Sequence, residues 1–287
     1  MINLKTIFKL GIMMSFSLLW SLCLFQYWST DFGAYYLIGS SLDENHRLFK
    51  DFFDHKGPFY YFFINIISKI IGFGIYQAYA TLALTLFIFL LSVQFAIKKS
   101  NKNYFFLLLF LSLSMMHTQD ANISIQLFQS AIVLLSFTFL FQFIEKNREF
   151  LLHISFVLFI LSIFTRIDSI IFFPVYLLIV FIKFKKDYLK IGNLIFFFLL
   201  YLFVILLLFS YYFNFSLNDY FITNIIYNLN NSSVSVREPF IRIFNSPAHI
   251  YFLLFTGVGY IFIEIIDTLI KKRLKKLKNI FKRKNID

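Results

Sequence analysis

Two uninterrupted apolar runs set the terms for this chain. Tyr76–Ile97 extends over 22 residues and Ile191–Phe213 over 23, and neither contains a charged side chain. Coiled as α-helices, each is about 33 Å long, which matches the hydrocarbon core of a bilayer. Six further apolar runs could also span, two of them carrying charge (Lys9 in the first, Glu264 and Asp267 in the last): Ile7–Tyr27, Tyr104–Met116, Ile123–Ile144, Phe150–Phe164, Ile170–Ile182 and Ile250–Ile270. Three of the eight are short and need either extension into their polar flanks or a locally thin bilayer. The composition agrees. Of 287 residues 59% are hydrophobic and only 15% are charged, against roughly 25% charged in a soluble domain. Disorder is excluded by the same numbers. A single Cys excludes a disulfide framework, a thiolate zinc site and an iron–sulfur cluster.

Charge sets the orientation. The net charge is +12, and nine of the 27 Lys and Arg residues lie in the last 17 positions. With Pro58–Ile71 lying on the outer surface rather than crossing, 20 basic residues fall inside. Seven fall outside: Arg47, Lys50, Lys56, Lys69, Arg166, Arg237 and Arg242. Letting that run cross inverts every later loop and sends most positive charge outward, against the positive-inside rule. Its short length and Lys69 also fit an interfacial helix. The N-terminal run follows basic residues and lacks a small-residue cleavage site, so an uncleaved first span is expected.

The expected fold is therefore an all-α, polytopic membrane protein with about eight transmembrane helices and both termini cytoplasmic, in a plasma or inner membrane. Residues 1–270 form one transmembrane domain. Its first outer loop, 28–75, carries two outer-face interfacial helices, near 31–42 and 58–71, and 271–287 is a basic cytoplasmic tail that can also meet anionic lipid.

This topology gathers the unusual side chains on the outer face. The first outer loop holds Asp31, Asp43, Glu44, Asp51 and Asp54, five of the 15 acids. The second holds His117 and Asp120. The third is the sharp turn Phe164-Thr-Arg166-Ile-Asp168-Ser, and the fourth, 214–248, is rich in Asn and Ser. Asp31 follows Ser29-Thr30 at a helix start, where a cap is the simplest role. Tyr35 lies one turn on and Gly39 two turns on, near the same helical face. Asp120 also opens a helix. Two aspartates at one membrane face can divide acid–base and orienting work. Asp54-His55-Lys56-Gly57-Pro58 is a polar turn, with Pro at a helix start. Lys56 and Arg166 are cations at the lipid boundary, suited to a lipid phosphate, and Arg166 alternatively pairs with Asp168. His55, His117, Asp31 and Asp120 are metal-ligating types without a ligand spacing, which leaves a divalent metal ion open.

The stretch Asp31-Phe-Gly-Ala-Tyr35-Tyr36, then Gly39, then Phe52-Phe53-Asp54-His55-Lys56-Gly57-Pro58-Phe59-Tyr60-Tyr61 resembles integral-membrane glycosyltransferases of the GT-C class. It is most similar to the branch with protein mannosyltransferases and the lipid A aminoarabinose transferase, and the likeness covers roughly residues 1–185. The resemblance implies an inverting enzyme that takes a sugar from a polyprenyl-phosphate-linked donor at the outer face. The acceptor would be a lipid, a glycan or a protein. Asp31 would be the catalytic base, and Asp120 would orient the acceptor or help hold a metal. Lys56 and Arg166 would bind the donor phosphate. Tyr35, Tyr36, Asp54 and His55 would line the substrate pocket. Members usually have more spans, which keeps open a truncated or non-catalytic relative. A lipid-linked oligosaccharide transporter or polymerase is the other alternative. It requires polar residues distributed along the spans, and most spans read as Phe, Leu and Ile. Nucleic acid is not an expected partner.

Overall fold

A computed structural model describes residues 4–25, 30–43, 46–52, 56–99, 123–184 and 187–226. Its helices are α1 (Leu4–Phe25), α2 (Thr30–Ser41), α3 (Pro58–Ile71), α4 (Ile75–Lys99), α5 (Ile123–Lys146) and α6 (Glu149–Ile163). A 3-10 segment, Ile167–Phe172, runs into α7 (Phe173–Phe184). Then come α8 (Tyr188–Phe213), the single turn α9 (Leu217–Tyr220) and a π-helical turn, Phe221–Ile226. No strand occurs among the described residues.

Local chemistry explains several boundaries. Gly57 is extended (φ −74°, ψ 160°) and Pro58 takes the first helical position of α3, where no N–H is needed. Gly72 ends that helix at φ 87°, a conformation that favours glycine. At the start of α8 the Asp187 carboxylate accepts from the Lys190 N–H, and Asn214 closes the helix in the left-handed region at φ 50°.

Helix α5 forms the centre and packs against both α4 and α6; α1 lies on α4, α2 on α3, and α8 on α6. Four segments are long and apolar enough to cross a membrane by length and composition: Ile75–Lys98, Ile125–Lys146, Ile167–Phe184 and Leu189–Phe213. These match four of the eight expected spans. The 3-10 segment lengthens the short Ile170–Ile182 run at its N-terminal end. Three apolar helices are shorter, at Ile7–Leu19, Pro58–Ile71 and Glu149–Ile163. At about 22 Å, α6 falls well short of a bilayer. The runs Tyr104–Met116 and Ile250–Ile270 and the tail 271–287 lie outside the described residues. The chain is thus an all-helical protein with the apolar helices of a membrane protein, and four, not eight, long spans stand among its described residues.

Side-chain contacts define two ends of this bundle. At one, Lys183 donates to the Ile144 carbonyl at the end of α5, and Lys190 pairs with Glu149 at 2.8 Å. At the other, the turn before α3 meets the turn after α6.

Candidate functional site

The second end is built around one backbone junction. The Gly57 N–H donates to the Thr165 carbonyl at 3.1 Å, and the Phe59 N–H donates to the Phe164 carbonyl at 2.9 Å. This docks Lys56-Gly57-Pro58 onto Phe164-Thr165-Arg166. The approach is close enough to demand glycine, because a Cβ on Gly57 would lie 2.0 Å from the Phe164 oxygen. The two cations expected to serve one phosphate, Lys56 and Arg166, therefore sit on turns that are hydrogen-bonded to each other.

Both are withdrawn from solvent. Lys56 is 8% exposed and the Arg166 side chain 12%. A cation in such surroundings needs compensating partners. For Arg166 one is Asp168, with Nη2 to Oδ2 at 2.5 Å, as the spacing in the turn allows. The Arg166 Nε is buried and has no hydrogen-bond partner among the described residues. Arg166 itself is extended, ahead of the 3-10 segment.

Beneath the junction lies an aromatic bed. Phe59 meets Phe128 at 5.4 Å and Phe209 at 5.9 Å between ring centroids. Phe164 meets Phe209 and Tyr220, and Tyr220 meets Phe49 of the first loop at 5.3 Å. Burial pushes the pKa of the Tyr220 hydroxyl up. Residues of the first loop, α3, α5, the turn after α6, α8 and α9 thus converge at one end of the bundle.

The other expected residues are placed as follows. Asp31 stands in the first turn of α2, one turn before Tyr35; its side chain lies outside those described. Tyr35 and Tyr36 are buried, each 5% exposed. The Tyr35 ring meets Tyr61 of α3 edge-on. The Tyr36 hydroxyl donates to the Gly74 carbonyl and accepts from the Gly74 N–H, and its ring stacks on Phe73. Tyr36 therefore ties α2 to the turn between α3 and α4. Gly39 is where α2 and α3 touch, for an added Cβ would lie 2.7 Å from the Ile64 side chain. Asp54, His55, His117 and Asp120 lie outside the described residues. Two loop acids make local bonds: Asp43 with His46 at 3.0 Å, and the Asp51 carboxylate with the Arg47 N–H at 2.7 Å. Among the described residues no three His, Cys, Asp or Glu side chains converge as a metal site would require.

Sequence reasoning missed the buried amides. Asn65 of α3 donates to the Gly39 and Leu42 carbonyls at 3.0 and 2.8 Å and accepts from the Tyr212 hydroxyl at 2.9 Å. Tyr212 in turn accepts from Lys69 at 3.0 Å, so α2 and α3 are roped to the end of α8. Gln77 of α4 donates to the Ser40 hydroxyl at 2.8 Å. Gln129 of α5 donates to the Ser169 hydroxyl and, at 3.3 Å, to the Arg166 carbonyl. The available signal was the residue type itself, an amide inside an apolar helix, which must find a buried partner.

No family model, curated protein or solved structure matches the chain.

Proposed function

We propose that this chain transfers a sugar from a polyprenyl-phosphate-linked donor to a lipid, glycan or protein acceptor at the outer membrane face, with inversion. The observation that carries the reading is the docking of the Lys56 turn onto the Arg166 turn. The motif resemblance brought these two residues to one phosphate, and the backbone bonds at Gly57 and Phe59 bring their turns together independently of it.

In this reading the acceptor oxygen attacks the anomeric carbon as the bond to the phosphate oxygen breaks. Asp31 takes the acceptor proton as that bond forms, so its pKa need not be high. The leaving polyprenyl phosphate gains negative charge, and Lys56 and Arg166 stabilise it in a site where water is scarce. Arg166 would share its guanidinium between Asp168 and the phosphate. Asp120 would orient the acceptor. A divalent metal ion remains part of the proposal only through Asp31, Asp120, His55 and His117. The donor arrives by diffusion within the bilayer, which suits a junction at the end of a membrane bundle.

One observation favours the transporter or polymerase reading. Helix α5 is not a clean apolar span, since Gln126, Gln129, Ser130, Ser136, Thr138 and Gln142 are all buried in it. Yet Ser136 is bonded to Ser155, Thr138 to the Leu134 carbonyl and Gln129 to Ser169. Groups used in this way support packing better than a conduction path, and the transferase reading is preferred.

The test uses the full chain in lipid vesicles, offered lipid-linked sugars extracted from its host or soluble nucleotide sugars. Release of free polyprenyl phosphate from the lipid-linked pool is expected. Turnover of nucleotide sugars alone would overturn the reading, because such donors belong to the cytoplasmic side.

A further inference from the structure

A second residue acts on Arg166 from within the bundle. Gln129 lies in the N-terminal third of α5 and is fully buried. Its amide nitrogen has two hydrogens and uses both. One goes to the Ser169 hydroxyl at 2.8 Å, the other to the Arg166 carbonyl at 3.3 Å. The Ser169 hydroxyl in turn donates to the Ser162 carbonyl at 3.2 Å, and the Arg166 N–H donates to that same carbonyl at 3.1 Å. The turn from Ser162 to Ser169 is thereby pinned on both sides of Arg166, and its anchor is the most buried of the four long apolar helices described.

The pinning has an uncompensated element. The Gln129 carbonyl oxygen is buried and finds no hydrogen-bond partner among the described residues. A Leu or Met of similar volume would fill this place without an unpaired acceptor, so packing alone does not call for an amide. What the amide adds is a fixed position for the Arg166 backbone. With Asp168 holding one end of the guanidinium, that fixes where Arg166 reaches. We infer that Gln129 is a positioning residue, setting Arg166 to receive the phosphate of a polyprenyl phosphate. The inference rests on the donor reading of Arg166 given above.

The experiment measures binding of farnesyl phosphate, a short polyprenyl phosphate, to the full chain in nanodiscs. It compares wild type, Gln129→Met, Arg166→Gln and the double variant. Gln129→Met is expected to weaken binding about tenfold, within the range for contacting, coupled residues. The double variant is expected to bind no worse than Arg166→Gln alone, because a misplaced turn no longer matters once the guanidinium is gone. A role in general packing gives losses that add, and that result overturns the inference, as does unchanged binding by Gln129→Met. Should Gln129→Met fail to fold, Ser169→Ala releases the other end of the clamp; a smaller loss with the same non-additivity is expected, and additivity again overturns it. Wild-type protein that binds no farnesyl phosphate overturns the donor reading itself, and this inference with it.

Discussion

Helices α5 and α8 are of nearly equal length and sit in opposite ways. The apolar stretch of α5 is 83% buried, and that of α8 only 17%. The buried helix is the more polar one. It carries six buried Gln, Ser and Thr side chains, whereas α8 presents Phe196, Leu199, Phe203, Leu207 and Leu208 outward. A water-soluble protein sorts its residues the other way. In a bilayer no water competes for buried hydrogen bonds, and outward-facing Leu and Phe lose nothing against lipid tails. Polar side chains therefore retreat to the centre, where they pair with backbone and with one another. The reciprocal pair formed by Ser136 and Ser155, each hydroxyl donating to the other's carbonyl at 2.9 and 2.7 Å, is the plainest instance. The proposed site sits where this polar interior reaches one end of the bundle.

Glycine offers the strongest way to break the contrast. Gly57→Ala forces backbone apart at the junction and should cost about 3 kcal/mol or more in thermal unfolding of the solubilised protein. On α8 a Cβ at Gly192 meets nothing within 4 Å. Gly192→Ala should stabilise by roughly 0.5–1 kcal/mol, because it removes backbone entropy from a helix interior. Equal effects at the two sites would remove the distinction between a packed end and an open helix. The rope from α2 and α3 to α8 comes next. Asn65→Leu takes the amide donor from the Gly39 and Leu42 carbonyls and the acceptor from the Tyr212 hydroxyl, which keeps its bond from Lys69, and should cost about 2 kcal/mol, against about 1 kcal/mol for Tyr212→Phe. Within the polar centre, a double-mutant cycle of Ser136→Ala with Ser155→Ala should show a coupling near 0.6 kcal/mol, typical of hydrogen bonds between membrane helices.

The smallest effect lies at the opposite end. A hydrogen bond from Lys190, reinforced by its charge, holds the Glu149 carboxyl below the usual carboxylate range. That pair contributes above the ordinary carboxylate pKa, and the contribution is lost as pH falls through the lowered value. Because both side chains are exposed, Glu149→Gln should flatten the acid side of the stability profile only slightly, and salt should hide the difference.

Periodicity and punctuation made much of the fold legible. Gly57-Pro58 marks the start of α3 to the residue, and the long apolar runs mark α4, α5 and α8 within a few positions. The 3-10 segment at Ile167–Phe172 was not legible, since its apolar residues carry no helical spacing of their own. The pairing of Arg166 with Asp168 could be read from two residues of separation. The partners of Asn65, Gln77 and Gln129 could not, because an amide announces that it needs a partner and not which distant turn supplies it. The resemblance joined Lys56 to Arg166 through a shared phosphate. That their turns are bonded directly, through a glycine with no room for a methyl group, emerged only in three dimensions.

We propose sugar transfer at this junction, with Asp31 as base and Arg166 as phosphate ligand. The most direct measurement is mass spectrometry of surface glycans and lipid-linked sugars in a host lacking the gene, supplied with wild type, Asp31→Asn or Arg166→Gln at equal membrane abundance. Wild type is expected to add a sugar to a glycan, lipid or protein, and both variants to leave the donor lipid unspent. Restoration of the same glycan by Asp31→Asn and Arg166→Gln would contradict it.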